Sequence, residues 1–206
     1  MKLHVITDGK KTEKELVDIL CGIHSFVDII HIREKQRTAK ELVSLIKNLT
    51  DQGVPLKKLI VNDRVDVAYA MGARGVQLAY HSLEVSEVRR IFPLLHVGCS
   101  VHSFDEAVKA QHDGADYVLY GHVYRTSSKI GLQPRGLKEL RKKLASLSIP
   151  VIAIGGITPE KVEELKACGV DGIAIMSGIM DAPDPVKAAR NYKSKVLVET
   201  EGLHEY

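Results

Sequence analysis

The chain contains no tryptophan and only three phenylalanines, and aromatic residues make up just 5% of it. No run of Lys/Arg interleaved with aromatics occurs, so the footprint of a nucleic-acid binder is missing. A large excess of charge of one sign is also missing. The net charge of +3 would help gather an anionic small molecule only weakly. Cysteine is scarce, with Cys21, Cys99 and Cys168 far apart and odd in number. No CxxC or Cys/His cluster has metal-ligand spacing, which leaves buried or half-buried thiols in a reducing compartment. No stretch approaches the ~20 apolar residues of a membrane span. Nor is a signal peptide visible, because Met1 runs into an apolar strand and then into Lys10, Lys11, Glu13, Lys14 and Glu15. The expectation is a cytoplasmic protein with neither membrane nor nucleic-acid partner.

What is present suits one domain. The 206 residues are 45% hydrophobic and 27% charged, enough to bury a substantial core over residues 1–206, with a polar tail from about Glu199. Short β-rich runs alternate with amphipathic segments. The runs are Leu3–Thr7, Phe26–Ile32, Lys58–Asn62, Gly75–Leu78, His96–Ser100, Tyr117–Tyr120, Pro150–Ile154 and Gly172–Met176. Several are almost continuously apolar, as parallel strands covered by helices must be.

Helix starts lie between them. Thr12…Glu15, Thr38…Glu41 and Ser103…Glu106 fit the capping box, while Thr158-Pro159 and Asp184-Pro185 place a capping oxygen before a first-turn proline. Gly72, Gly114 and Gly169 punctuate the helix ends in a weakly repeating unit. Eight such units, about 25 residues each, predict an α/β fold, a single (β/α)₈ TIM barrel. A flat dinucleotide-binding sheet would need G-x-G-x-x-G after its first strand, and the segment after Val5 reads Ile-Thr-Asp-Gly-Lys-Lys.

In such a barrel the reactive face lies at the C-terminal ends of the strands. Arg33 and Lys35 follow strand two and alternate onto one side, with Glu34 on the other. Two cations aimed at one volume predict an anion between them, the alternative being a solvated strand end paired with acids. Asn62 and Ser100 end strands three and five and could bond a ligand, while Asp63 could bind a metal, cap a helix or pair with Arg64. His122 stands at the end of strand six, before the hydroxyl-rich Thr126-Ser127-Ser128-Lys129. An imidazole there can move a proton near neutrality, and the loop suits a phosphate monoester. Gly155-Gly156 after strand seven and Met176-Ser177 after strand eight offer backbone N–H groups where this fold binds phosphate.

These motifs together resemble the thiamin phosphate synthase family. They are Ile32-Arg33-Glu34-Lys35, Val61-Asn62-Asp63-Arg64-Val65-Asp66, Val97-Gly98-Cys99-Ser100-Val101-His102 and Ala115-Asp116-Tyr117-Val118, continued by Gly121-His122-Val123-Tyr124 and Ile154-Gly155-Gly156-Ile157. The family joins a pyrimidine diphosphate to a thiazole phosphate, with magnesium held by two aspartates. Here His81 stands where the second aspartate belongs, and imidazole replaces a carboxylate poorly for magnesium. Gly121-His122 also replaces a small-residue-proline pattern.

This combination resembles the thiazole tautomerase (TenI-like) branch, which aromatises the thiazole carboxylate phosphate without a metal or other cofactor. The resemblance implies an isomerase with His122 as acid/base. Arg33 and Lys35 hold the carboxylate and the developing charge, and Lys35 stands as a second catalytic candidate. The phosphate falls to Thr126, Ser127, Ser128, Lys129, Gly155, Gly156, Met176 and Ser177. The implied partner is a small phosphorylated thiazole; a homodimer is compatible with the family. The alternatives are thiamin phosphate synthase itself and a non-catalytic regulator that binds thiazole phosphate.

Overall fold

The computed structural model describes residues 1–126, 133–134 and 136–197. The strands are β1 (Lys2–Ile6), β2 (Ile29–Ile32), β3 (Leu59–Asn62), β4 (Gly75–Leu78), β5 (His96–Val101), β6 (Tyr117–Gly121), β7 (Val151–Ile154) and β8 (Gly172–Ile175). Each pairs in parallel with the next, and β8 closes onto β1 through Lys2↔Gly172 to Val5↔Ile175. The fold is therefore a closed (β/α)₈ barrel, the expected architecture.

Helices follow the strands: α1 (Glu13–Ile23), α2 (Ala39–Asp51), α3 (Val65–Met71), α4 (Val85–Ile91), α5 (Phe104–His112), α6 (Lys138–Lys143), α7 (Val162–Cys168), α8 (Ser177–Met180) and α9 (Pro185–Leu197). Local chemistry sets their ends. Thr12 and Thr38 form full capping boxes with Glu15 and Glu41. Ser103 accepts the Glu106 N–H, but the Glu106 carboxylate takes the N–H of His102 instead of that of Ser103. Asp184 caps α9 through the Lys187 N–H at 2.9 Å, whereas the Thr158 side chain makes no cap bond. Gly72 and Gly169 end α3 and α7 in the left-handed conformation.

The core has two layers. Between strands and helices lies a large apolar shell including Leu16, Leu20, Leu45, Ile46 and Leu49, all fully buried; burying each such side chain is worth roughly 1.5–3 kcal/mol. Inside the barrel, Ile6, Ile29, Ile60, Leu119, Ile152 and Ala174 form a smaller cluster. Polar groups share that interior: His4, His31, Gln77 and Tyr117 are all buried. The strand expected from Phe26 begins only at Ile29. The Phe26 N–H turns back to Ile23, and the Asp28 carboxylate accepts the Leu3 N–H and meets Lys193, a turn that positions β2 beside β1. The three thiols are free, and burial raises the pKa of each, that of Cys99 to about 11. The tail from Glu199 and the residues Ser127, Ser128 and Lys129 lie outside the described residues. Among the described residues, no helix is long and apolar enough to cross a membrane.

Candidate active site

A cavity of about 350 Å³ opens at the C-terminal ends of the strands. It gathers Arg33, Lys35, Asn62, Ser100, His122, Thr126, Gly155, Gly156, Met176 and Ser177 on its walls, which are all of the expected site residues that the structure describes. In an eight-stranded ring β2 and β6 stand on opposite walls, so Arg33 and Lys35 face the cavity across from His122. The glycine and serine turns of β7 and β8 close the gap from β6 back to β1.

Each wall is built by local bonding. The buried Thr7 hydroxyl accepts the Arg33 N–H at 2.8 Å and fixes the chain as it leaves β2. Glu34 points the other way, as the alternation requires. It is buried, and Arg37 meets it at 3.4 Å while also pairing with Glu13 at 2.8 Å. Asn62 keeps a buried Oδ1 with no hydrogen-bond partner among the described residues.

Asp63 departs from the roles open to it in sequence. It neither caps α3 nor pairs with Arg64, whose guanidinium binds Asp66 instead. Its backbone is left-handed (φ 63°). Its carboxylate accepts the Ser82 hydroxyl, and His81 Nε2 lies 3.2 Å from its other oxygen. His81 thus sits beside Asp63, where a shared metal would need a second carboxylate. Among the described residues no group of three or more His, Cys, Asp or Glu could hold a metal ion. Both Asp63 oxygens are engaged by Ser82 and His81, and with an imidazole in the second carboxylate's place this pair offers magnesium a poorer donor set than two aspartates.

His122 is 4% exposed. Past the strand ends, the Val123 N–H still bonds Ile154 O at 2.9 Å and the Tyr124 N–H bonds Gly155 O at 3.0 Å. Gly155 and Gly156 have φ of +103° and +65°, so only glycine adopts them without strain. A Cβ on Gly155 would run into the Cβ of His122, and one on Gly156 into Arg125 O. The glycine pair therefore admits the imidazole as well as presenting backbone to the cavity.

Sequence reasoning did not single out the braces behind this loop. Lys161 Nζ donates to Gly156 O at 3.0 Å and lies 4.3 Å above the Tyr124 ring, whose hydroxyl donates to Glu164. Tyr192 donates its hydroxyl to Ile157 O at 2.9 Å. Their signal is faint: one lysine in the Thr158-Pro159-Glu160-Lys161 turn and a tyrosine on a distant helix.

The fold and the cavity define a (β/α)₈ barrel protein with a single-mouth site at the strand C-termini. The chain belongs to the thiamine monophosphate synthase family, whose model matches residues 3–179. It is 37% identical to the thiamine-phosphate synthase of Pyrococcus abyssi over 205 residues, covering 98% of this chain and 97% of that protein. It is 32% identical to the thiamine-phosphate synthase of Methanococcus maripaludis, covering 93% and 92%. Among solved structures, the thiamine phosphate pyrophosphorylase from Pyrococcus furiosus superposes with a TM-score of 0.79 at 36% identity, covering 95% of each chain. None of these relatives carries a tautomerase name. By name they favour the coupling enzyme, the alternative in the sequence reading, over the isomerase.

Proposed function

We propose that this chain acts on the phosphorylated thiazole of thiamin biosynthesis, and that it is a tautomerase acting by proton transfer at His122. The observation that carries the reading is the buried His122 imidazole on the cavity wall, opposite two cations and beside two glycine-rich turns. The substrate is a non-aromatic thiazole bearing a carboxylate and a phosphate. His122 removes the proton from the ring carbon that carries the carboxylate. The electron pair moves through the ring, and a proton returns from the imidazole to the exocyclic carbon, leaving the aromatic ring.

Arg33 and Lys35 bind the carboxylate and offset the charge that grows while the proton is away. The phosphate lies against the backbone N–H groups of Gly155, Gly156, Met176 and Ser177, with the Thr126 hydroxyl as a further donor. Ser127, Ser128 and Lys129, which the sequence offers for the same role, lie outside the described residues. Asn62, with its orphaned acceptor, and Ser100 address the ring. The partner is a small molecule throughout. No step is routed through a metal.

Coupling of the thiazole phosphate to a pyrimidine diphosphate is the second reading. The names of the relatives favour it; the Asp63–His81 pairing weighs against it.

The test is turnover of the thiazole carboxylate phosphate by wild type and by His122→Gln. The tautomerase reading expects wild-type turnover without added metal, and at least a hundredfold loss in H122Q with ligand affinity kept within a few-fold. Ordinary coupling rates with magnesium and no aromatisation establish the second reading instead. Binding without either turnover identifies a regulator.

A further inference from the structure

Below the cavity floor, three side chains on three neighbouring strands form a directed chain of hydrogen bonds. The Tyr117 hydroxyl lies 2.6 Å from Gln77 Oε1, and Gln77 Nε2 lies 3.0 Å from Ser100 Oγ. The register explains how they meet. Gln77 on β4 and Tyr117 on β6 are both partners of Gly98 on β5. A Cβ on Gly98 would collide with the Tyr117 ring and with Gln77 Oε1. Glycine at that position is what lets the two side chains touch across a strand.

The direction of the chain follows from its surroundings. Gln77 Nε2 also faces the Leu78 carbonyl oxygen at 3.4 Å. Turning the amide over would set Oε1 against that carbonyl and leave the Tyr117 proton without its acceptor. Gln77 and Tyr117 are buried, so neither error could be repaired by water at the surface. Burial also raises the Tyr117 pKa far above the ordinary phenol range, so the hydroxyl keeps its proton.

We infer that Tyr117 and Gln77 are positioning residues that fix Ser100 as a hydrogen-bond donor to the ligand. Because Gln77 donates to Ser100 Oγ, the serine proton must point elsewhere, and Ser100 lines the cavity. The site thereby selects an acceptor at that place, the ring nitrogen of the thiazole, and rejects a donor. This inference rests on the proposed thiazole site.

The experiment is a double-mutant cycle with Gln77→Glu and Ser100→Ala, read in kcat/KM for the thiazole carboxylate phosphate and in the Kd of thiazole phosphate. Burial favours the protonated acid, which could donate to Ser100 as the amide does, so Q77E is read at the alkaline end of the pH range. There the ionised glutamate keeps the shape and the Tyr117 bond but offers Ser100 an acceptor, and the serine proton turns inward. Q77E and S100A should each lose about tenfold, the worth of one such bond, and the double variant should lose the same tenfold. Multiplying losses of about a hundredfold, or an unimpaired Q77E, would overturn the inference.

If Q77E does not fold, Tyr117→Phe replaces it. Y117F should cost about threefold in the wild-type background and nothing in S100A; an equal cost in both would refute the chain. A wild-type protein that binds thiazole phosphate without turning over the carboxylate substrate counts against the function alone, since the cycle is then read in Kd.

Discussion

Gly155→Ala is the perturbation through which backbone geometry and chemistry can be separated. Gly155 sits at φ +103°, and a new Cβ would collide with the Cβ of His122. Two costs arise. An L-residue held in that backbone region costs about 1–3 kcal/mol, and a methyl forced into a filled space costs about 1–3 kcal/mol if nothing yields. His122 borders a cavity, so it can yield by moving into it. The stability loss should then stay near 2 kcal/mol, a Tm drop of about 4–8 °C at this chain length. The catalytic loss should be larger in proportion, because displacing a reacting group by about 1 Å can cost about a hundredfold.

Gly169→Ala is the control. It has φ +91° but no atom within 4 Å of its added Cβ, and it ends α7 away from the cavity. It should lose about 1–2 kcal/mol of stability and keep its turnover. The assay is calorimetric melting beside steady-state turnover of the thiazole carboxylate phosphate. Equal catalytic loss in the two variants, or a fully active G155A, would refute the claim that Gly155 makes room for His122.

Other expectations are as direct. His4 and His31 lie 3.0 Å apart inside the barrel. Burial first, then neighbouring cations for His4 and His4 itself for His31, hold both neutral, with the His4 pKa at about 3. Their folded pKa values are below the unfolded 6.5, so the unfolded chain binds more protons as pH falls, and stability drops from pH 6.5 downward. At pH 5 His4 should cost about 2 kcal/mol, and His31 adds to the loss in the same direction, a decline that urea titration should show and His4→Gln/His31→Gln should flatten. Arg37→Met strands the buried Glu34 and should cost about 1–3 kcal/mol in chemical denaturation; an unchanged midpoint would mean that Arg37 does not hold Glu34. Lys35→Met should raise the Kd for the carboxylate-bearing ligand about tenfold or more while leaving that for inorganic phosphate unchanged, as measured by calorimetry.

Much of this was legible in sequence. Strands such as Gly75–Leu78 announce themselves as short runs between a helix-ending glycine and a polar turn, and Thr12 and Thr38 mark their helices through bonds to residues three positions away. Arg33, Lys35, Asn62 and His122 could be placed at the mouth because strand ends in a parallel barrel share one face. What stayed hidden depends on partners distant in the chain. Gln77 and Tyr117 are 40 residues apart and meet only because Gly98 lies between them in register. Asp63 reads as a cap or a metal ligand until the loop after β4 brings His81 and Ser82 onto it. Asp28 looks like part of a strand until the Leu3 N–H and Lys193 claim its carboxylate.

The most direct measurement follows the non-aromatic thiazole carboxylate phosphate by proton NMR, with wild type and H122Q, in the presence of a magnesium chelator. The account predicts that the wild-type protein yields the aromatic thiazole under those conditions and that H122Q does not. Failure of the wild type to aromatise the substrate, together with magnesium-dependent coupling of thiazole phosphate to the pyrimidine diphosphate, would contradict it.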